Sequence, residues 1–351
     1  MCDSQEKLWD IYPLLGKANR TKYLLNHKRF AIMPIHFPVV VEEAQSIDTL
    51  IAIVLNIKKT DENNILYFRG EPSDYRDQAV TPSVFRGYLD REHHIYREMQ
   101  RFNDQEFAVD KTAFDKLARM QHYLAPTRML DMSEDVLGAL YFALDQPESG
   151  ETGVVYVLEI DRDQVKYYDS DAVSVVANLA KSPLTNDGAS KDKSKTSLHR
   201  DAVRFLHDMV GFKGQPSADF LLHDVREEKS HFRPLINPVH LFSVLCVKPK
   251  YTNARLHGQK GAFLLFGMNL ADANKPIKLL QYEPSQADAL RINASLESGW
   301  HPIRKLTKIR LGCDINLKSL ARLGVTKPYV YPEMDKVAEY LKAVHKEDAS
   351  L

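Results

Sequence analysis

The residues able to do chemistry concentrate in two short segments. In "NILYFRG" (64–70) an apolar run suited to a strand ends in Arg69-Gly70. In "MQHYLAPTRMLDMSEDVLGALYFALD" (120–145) Gln121, His122, Tyr123, Thr127, Arg128, Asp131 and Ser133 fall within 13 positions, just ahead of an apolar helix. An arginine keeps its charge wherever it sits, so burial demands a partner. Gly70 beside it permits backbone angles and close approaches denied to other residues. Two readings follow for Arg69: an internal ion pair with Asp131, or a guanidinium that receives an anion from outside. Pro126 fixes the chain ahead of Thr127-Arg128. Ser133 stands where the N-cap of the next helix belongs, which sets its neighbours at the positive, anion-favouring end of that helix. His122 reads either as a satisfied histidine or as a base, and Arg128 as a group orienting Asp131.

These segments need elements to hold them. "ILYF", "GVVYVLEI" (153–160), "HLFSVLCVKP", "GAFLLFG", "IKLLQYE" and "HPIRKLTKIRLG" read as strands. Helices are expected from about Ser46 to Lys58, from Leu89 to Phe107 with Ile95, Met99 and Phe102 on one face, and from about Asp110 to Tyr123. Further helices are expected in "SEDVLGALYFAL", "LHRDAVRFLHDMV", "INLKSLARLG" and "YPEMDKVAEYLKAVHKE". The polar stretch "KSPLTNDGASKDKSK" predicts a mobile loop near residues 181–197. The order of elements predicts an α+β fold, with residues 1–59 as an N-terminal helical extension and 60–351 as one domain.

Bulk properties exclude some classes. The 351 residues carry 47 Lys+Arg against 47 Asp+Glu, a formal net charge of zero. No general electrostatic grip on nucleic acid or an anionic membrane is implied. Three cysteines, Cys2, Cys246 and Cys313, have no paired spacing, so neither a disulfide framework nor a zinc site is expected. The first residues lack a secretory apolar core and no apolar run approaches the ~20 residues of a membrane span. A cytoplasmic location without membrane contact is expected. Asp and Glu are not spaced as ligands, so no metal site is expected either.

"YFRG" followed by "MQHYLAPTRMLDMSEDVLGALYFA" resembles the bacterial FRG domain, named for the motif that is Phe68-Arg69-Gly70 here. "NARLHGQKGAFLLFG" and "LARLGVTKPYVYPEMDKVAEYL" extend the resemblance across roughly residues 60 to 345. Family members often carry Gly-x-Pro after His-Tyr where this chain has Leu124-Ala125-Pro126, and Asp-Trp-Thr where it has Asp131-Met132-Ser133. In order and pattern the first two blocks are also similar to mono-ADP-ribosyltransferases of the Arg-Ser-Glu type, which implies a mixed sheet core surrounded by helices.

That likeness implies NAD as substrate and cleavage of its nicotinamide–ribose bond, in which positive charge builds on the ribose carbon. Arg69 would hold phosphate or ribose, since a guanidinium binds two oxygens at once. Ser133 would orient the nicotinamide side, and His122 or Tyr123 would stack on the ring. Gln259, just before a strand, would bond the ribose 2′-hydroxyl, or else merely shape a turn. Glu134 and Glu283 are alternative acids. The implied site is thus Arg69, Ser133 and Gln259 with Gly70, His122, Tyr123, Thr127, Arg128 and Asp131. The resemblance implies a toxin or phage-defence effector acting on a protein, a nucleic acid or water, with a possible antitoxin partner. The competing reading is a non-catalytic module of the same fold that binds a nucleotide or nucleic acid.

Overall fold

The computed structural model describes residues 35–145, 152–181, 198–208, 215–250, 261–283, 291–296 and 301–346. In chain order the first half holds β1 (Ile35–Phe37), β2 (Val39–Ala44), α1 (Ile47–Leu55), β3 (Ile65–Glu71), α2 (Glu92–Phe102), α3 (Asp104–Phe107), α4 (Ala113–His122), β4 (Met129–Ser133), α5 (Val136–Leu144), β5 (Val154–Ile160), β6 (Lys166–Tyr167) and α6 (Asp171–Ala177). The second half holds α7 (Leu198–Asp208), α8 (Pro216–Glu228), α9 (Pro238–Leu241), β7 (Val244–Lys248), β8 (Gly261–Phe266), β9 (Gln281–Glu283), β10 (Arg291–Leu296), β11 (Ile303–Leu311), α10 (Leu317–Arg322), α11 (Lys327–Val330) and α12 (Met334–Val344).

An eight-stranded sheet in the order β2-β11-β5-β3-β4-β8-β7-β6 organises the chain, with a three-stranded sheet β1-β10-β9 beside it. The large sheet is mixed: β2–β11 and β6–β7 are parallel, the other pairs antiparallel. The fold is α+β, as the order of elements predicts. One join in the sheet differs from the rest. β3 pairs with β5 along all of Ile65–Glu71, and β4 pairs with β8 along all of Met129–Ser133, but β3 and β4 meet only at Phe68 and Ser133. The large sheet is therefore two four-stranded halves that diverge from a single shared rung.

Three apolar clusters follow from that geometry. Alternation along each strand sends one set of side chains to a core shared by both halves, including Tyr67, Leu130, Tyr156 and Leu264. On the opposite face each half has its own helices. Phe68, Val155 and Ile309 pack with α5, while Met129, Phe263 and Leu265 pack with α2, α4 and α6. Helix α5 lies so close over β3 that a Cβ on Gly70 would stand 1.8 Å from the Ala139 carbonyl oxygen, and one on Gly153 2.0 Å from that of Ala143. Gly70 answers a packing demand: only a glycine lets the helix backbone rest on the strand there.

Several local expectations give way to this topology. Val39–Ala44 is an edge strand of the large sheet, not part of a helical extension, because β11 supplies a parallel partner far along the chain. Residues 1–34 lie outside the described residues. The 89–107 segment is interrupted: a 3₁₀ turn at Leu89–Arg91 leads into α2, Asn103 leaves helical geometry, and α3 follows. Phe102 at that break is 72% exposed while Ile95 and Met99 pack on the core. In "IKLLQYE" only Gln281–Glu283 is strand. Lys181 closes a short 3₁₀ turn and bonds to α8 through the Asp224 carbonyl and the Glu227 carboxylate. The rest of the 181–197 loop lies outside the described residues. No helix among the described residues is long and apolar enough to cross a membrane.

Candidate functional site

Where β3 and β4 part, a cavity of about 260 Å³ opens between α4 on one side and α5 on the other. Its wall includes Phe68, Arg69, Gly70, Gln121, His122, Asp131, Ser133, Asp145 and Tyr331. Arg69, Gly70, His122, Asp131 and Ser133, which the sequence singles out, thus share one cavity.

Arg69 shows what the split does. The register that pairs Phe68 with Ser133 would set Gly70 opposite Asp131 if the ladder continued. Instead the Asp131 carbonyl receives Arg69 Nη1 at 3.1 Å. The carboxylate beside Arg69 is Glu71, not Asp131: Nε donates to Glu71 Oε1 at 2.9 Å, and that buried carboxylate also accepts the Val80 N–H at 3.1 Å. Residues two apart on a strand share a face, so the Arg69–Glu71 pair was legible in the spacing. The expected ion pair with Asp131 is thus replaced by one with Glu71, while Arg69 also lines the cavity and its Nη2 has no hydrogen bond to a described residue.

Asp131 is aimed by a relay. Thr127 is fully buried, and its hydroxyl donates to Gln121 Oε1 while accepting the Met129 N–H; Gln121 Nε2 then donates to Asp131 Oδ2 at 3.0 Å. Thr127 therefore acts through Gln121 and is absent from the cavity wall. Ser133 is the last residue of β4 and not a helix cap, because Met129–Ser133 is bound to β8. The cap of α5 is Asp135, whose side chain accepts the Leu137 N–H; the Ser133 hydroxyl accepts the Asp135 N–H at 2.9 Å and is held at the cavity wall.

Other expected site residues lie elsewhere. Arg128 is wholly buried, paired through two nitrogens with Glu92 and donating Nη1 to the Phe266 carbonyl, so it neither reaches the cavity nor touches the Asp131 carboxylate. Tyr123 is 56% exposed and lines a neighbouring cavity, its ring set edge-on to His122. Glu134 pairs with Lys248. Gln259 and the Glu283 side chain lie outside the described residues. Cys246 is a buried core thiol, pushed up to about 12 by burial, and Cys313 is exposed. Among the described residues no cluster of three or more His, Cys, Asp or Glu side chains is placed to hold a metal ion.

Two cavity residues carried no clear sequence signal. Asp145 ends α5, and its carboxyl is raised above the ordinary range by burial, against the Lys327 ammonium and the Tyr331 hydroxyl, which lower it. Tyr331 follows α11 and donates its hydroxyl to Asp145 Oδ2 at 3.5 Å, bringing the C-terminal segment onto the wall. Leu124 also lines the cavity. It stands at φ +60°, in the left-handed region, closing α4 with paired bonds from Leu124 N–H to the Gln121 carbonyl and from Ala125 N–H to the Met120 carbonyl. Glycine is the usual residue at such a helix end.

Residues 64–152 match the FRG domain family. The match bears out the resemblance read from Phe68-Arg69-Gly70 and contains every cavity residue named above except Tyr331. Neither the curated proteins nor the solved structures contain a match to the chain.

Proposed function

Taking residues 64–152 as an FRG domain, we propose that the protein is an NAD-dependent, ADP-ribosyltransferase-like enzyme that cleaves the nicotinamide–ribose bond in the cavity at the split of the sheet. The observation that carries this reading is the charge of the wall. Arg69 is already matched by Glu71, while Asp131 and Asp145 add two carboxylates. Such a wall suits a cation: the pyridinium of NAD in the ground state and the ribosyl cation as the bond breaks. Asp131, aimed by Gln121 and Thr127, stabilises the developing charge, and the spare Arg69 Nη2 bonds a ribose or phosphate oxygen. Ser133 orients the nicotinamide side, and Gln259 keeps its expected role at the 2′-hydroxyl. At about 260 Å³ the cavity lies just below the ~300–1,000 Å³ of pockets for drug-sized ligands, which suits one nucleoside end of the dinucleotide. Loss of NAD harms the cell that suffers it, which fits a toxin or phage-defence effector held in check by a partner protein.

A second reading, a module that binds a nucleotide without turning it over, is favoured by one observation: Gln121 already donates to Asp131 Oδ2, which leaves that carboxylate less able to stabilise a developing cation. Nicotinamide release from NAD separates the two. The enzyme reading predicts release by the wild type and a fall of about 100-fold or more in Asp131→Asn with folding intact. Binding of NAD without release supports the module, and neither binding nor release refutes both.

A further inference from the structure

A second cavity of about 250 Å³ adjoins the first, and Ala118 and His122 line both. On its side the shared wall also includes Glu333, the N-cap residue of α12. Glu333 Oε1 stands 3.3 Å from His122 Nε2. Both Glu333 carboxylate oxygens are buried and make no hydrogen bond, and Oε1 faces the His122 imidazole. An acid buried against a histidine on the partition between two cavities is the arrangement of a base and the group that orients it.

We infer that the second cavity is the acceptor site and that His122 is the general base that takes the acceptor's proton, with Glu333 as its positioning residue. The inference rests on the reading of the first cavity as the NAD site. The step balances as follows. The ribose C1′–N bond breaks with its electron pair moving to the nicotinamide nitrogen, which becomes neutral. The acceptor X–H forms the C1′–X bond, and its proton passes to a ring nitrogen of His122, where Glu333 stabilises the imidazolium. The acceptor class is a neutral hydroxyl or amine. Both cations of the second cavity are matched, Arg119 by Asp110 and Lys250 by Asp115, leaving no excess positive charge for a phosphate. The charged groups lining the two cavities that His122 divides include Arg69, Asp131 and Asp145 in the first, and Glu333 with these two matched pairs in the second.

The test uses the full chain, NAD, and water as the hydroxyl probe. NAD affinity, nicotinamide release and its pH profile are measured for the wild type, His122→Ala and Glu333→Gln. His122→Ala is expected to lose about 100-fold in kcat, a larger change than in its NAD affinity, and to regain at least tenfold with added imidazole. Glu333→Gln is expected to move the acid limb of the profile down by roughly one pH unit, since loss of the carboxylate destabilises imidazolium. A purely structural histidine gives neither rescue nor a displaced limb. Retention of kcat in His122→Ala, failure of rescue, or an unmoved limb overturns the inference while leaving the NAD site standing. A wild type that releases no nicotinamide overturns both.

Discussion

Substituting Gly70 by alanine asks why a strand ends in Arg-Gly. The added Cβ would lie 1.8 Å from the Ala139 carbonyl oxygen and 2.6 Å from the Ala143 nitrogen. Both are backbone atoms of α5, so no side chain can swing aside. Restoring ordinary contact at 3.4 Å moves the helix by roughly 1.5 Å away from β3. Overpacking a core typically costs about 1–3 kcal/mol, and a clash against helix backbone belongs at the upper end or beyond it. The same shift displaces Asp145 and the Asp135–Ser133 contact at the two ends of α5. Urea denaturation should therefore show Gly70→Ala destabilised by about 3 kcal/mol. Gly87→Ala is the control: its φ is +95° with nothing within 4 Å, so it should lose only the ~1–2 kcal/mol of left-handed strain. A Gly70→Ala protein as stable as the wild type would refute the packing account and return Gly70 to a ligand role.

Three further outcomes follow from the same structure. Arg128→Ala should cost about 3–5 kcal/mol in urea denaturation by leaving Glu92 charged and buried, and Arg128→Met with Glu92→Met should recover most of it; a stable Arg128→Ala with lost ligand affinity would contradict the structural role. Leu124→Gly should raise stability by about 0.5–1 kcal/mol by relieving the left-handed backbone at the end of α4, read as a higher urea midpoint. Burial pushes the His240 imidazole down to about 4, helped by the like charge of Lys166 and opposed by Asp171. Between about pH 6.5 and 4 the unfolded chain then binds a proton the native state refuses, so stability present above pH 6.5 falls as pH drops through that window. His240→Phe should remove about 2–3 kcal/mol of the stability difference between pH 7.5 and 4.5.

Elements whose signal is local could be read from the chain. β3, β5, β8 and β11 are apolar runs bounded by turns, and α10 and α12 carry their own periodicity and breakers. β2 escaped because its reason lies far away: Val39–Ala44 is a strand only because Leu306–Leu311 runs beside it. "MLDMS" hid inside a helix-start signal, so Ser133 looked like the cap that Asp135 provides. The site was legible where side-chain chemistry is unusual for its setting, as at Arg69, Asp131 and His122. Asp145 was hidden as the cap just past an apolar helix, and Tyr331 and Glu333 reach the cavities from a segment about 200 residues beyond His122. Arg128 has the same residue type as Arg69, and only the fold distinguishes a guanidinium sealed against Glu92 from one at a cavity wall.

The claim that the split of the sheet is an acidic pocket for a cationic nucleoside is tested most directly by comparing oxidised and reduced dinucleotide in isothermal titration calorimetry. NAD and NADH share phosphates, riboses and adenine, and differ by the positive charge on the nicotinamide ring. With Asp131 and Asp145 on the wall and Arg69 matched by Glu71, NAD should bind roughly tenfold more tightly than NADH, a ~1.4 kcal/mol effect of one charge in a partly screened site. Equal affinities, or tighter binding of NADH, would contradict the account.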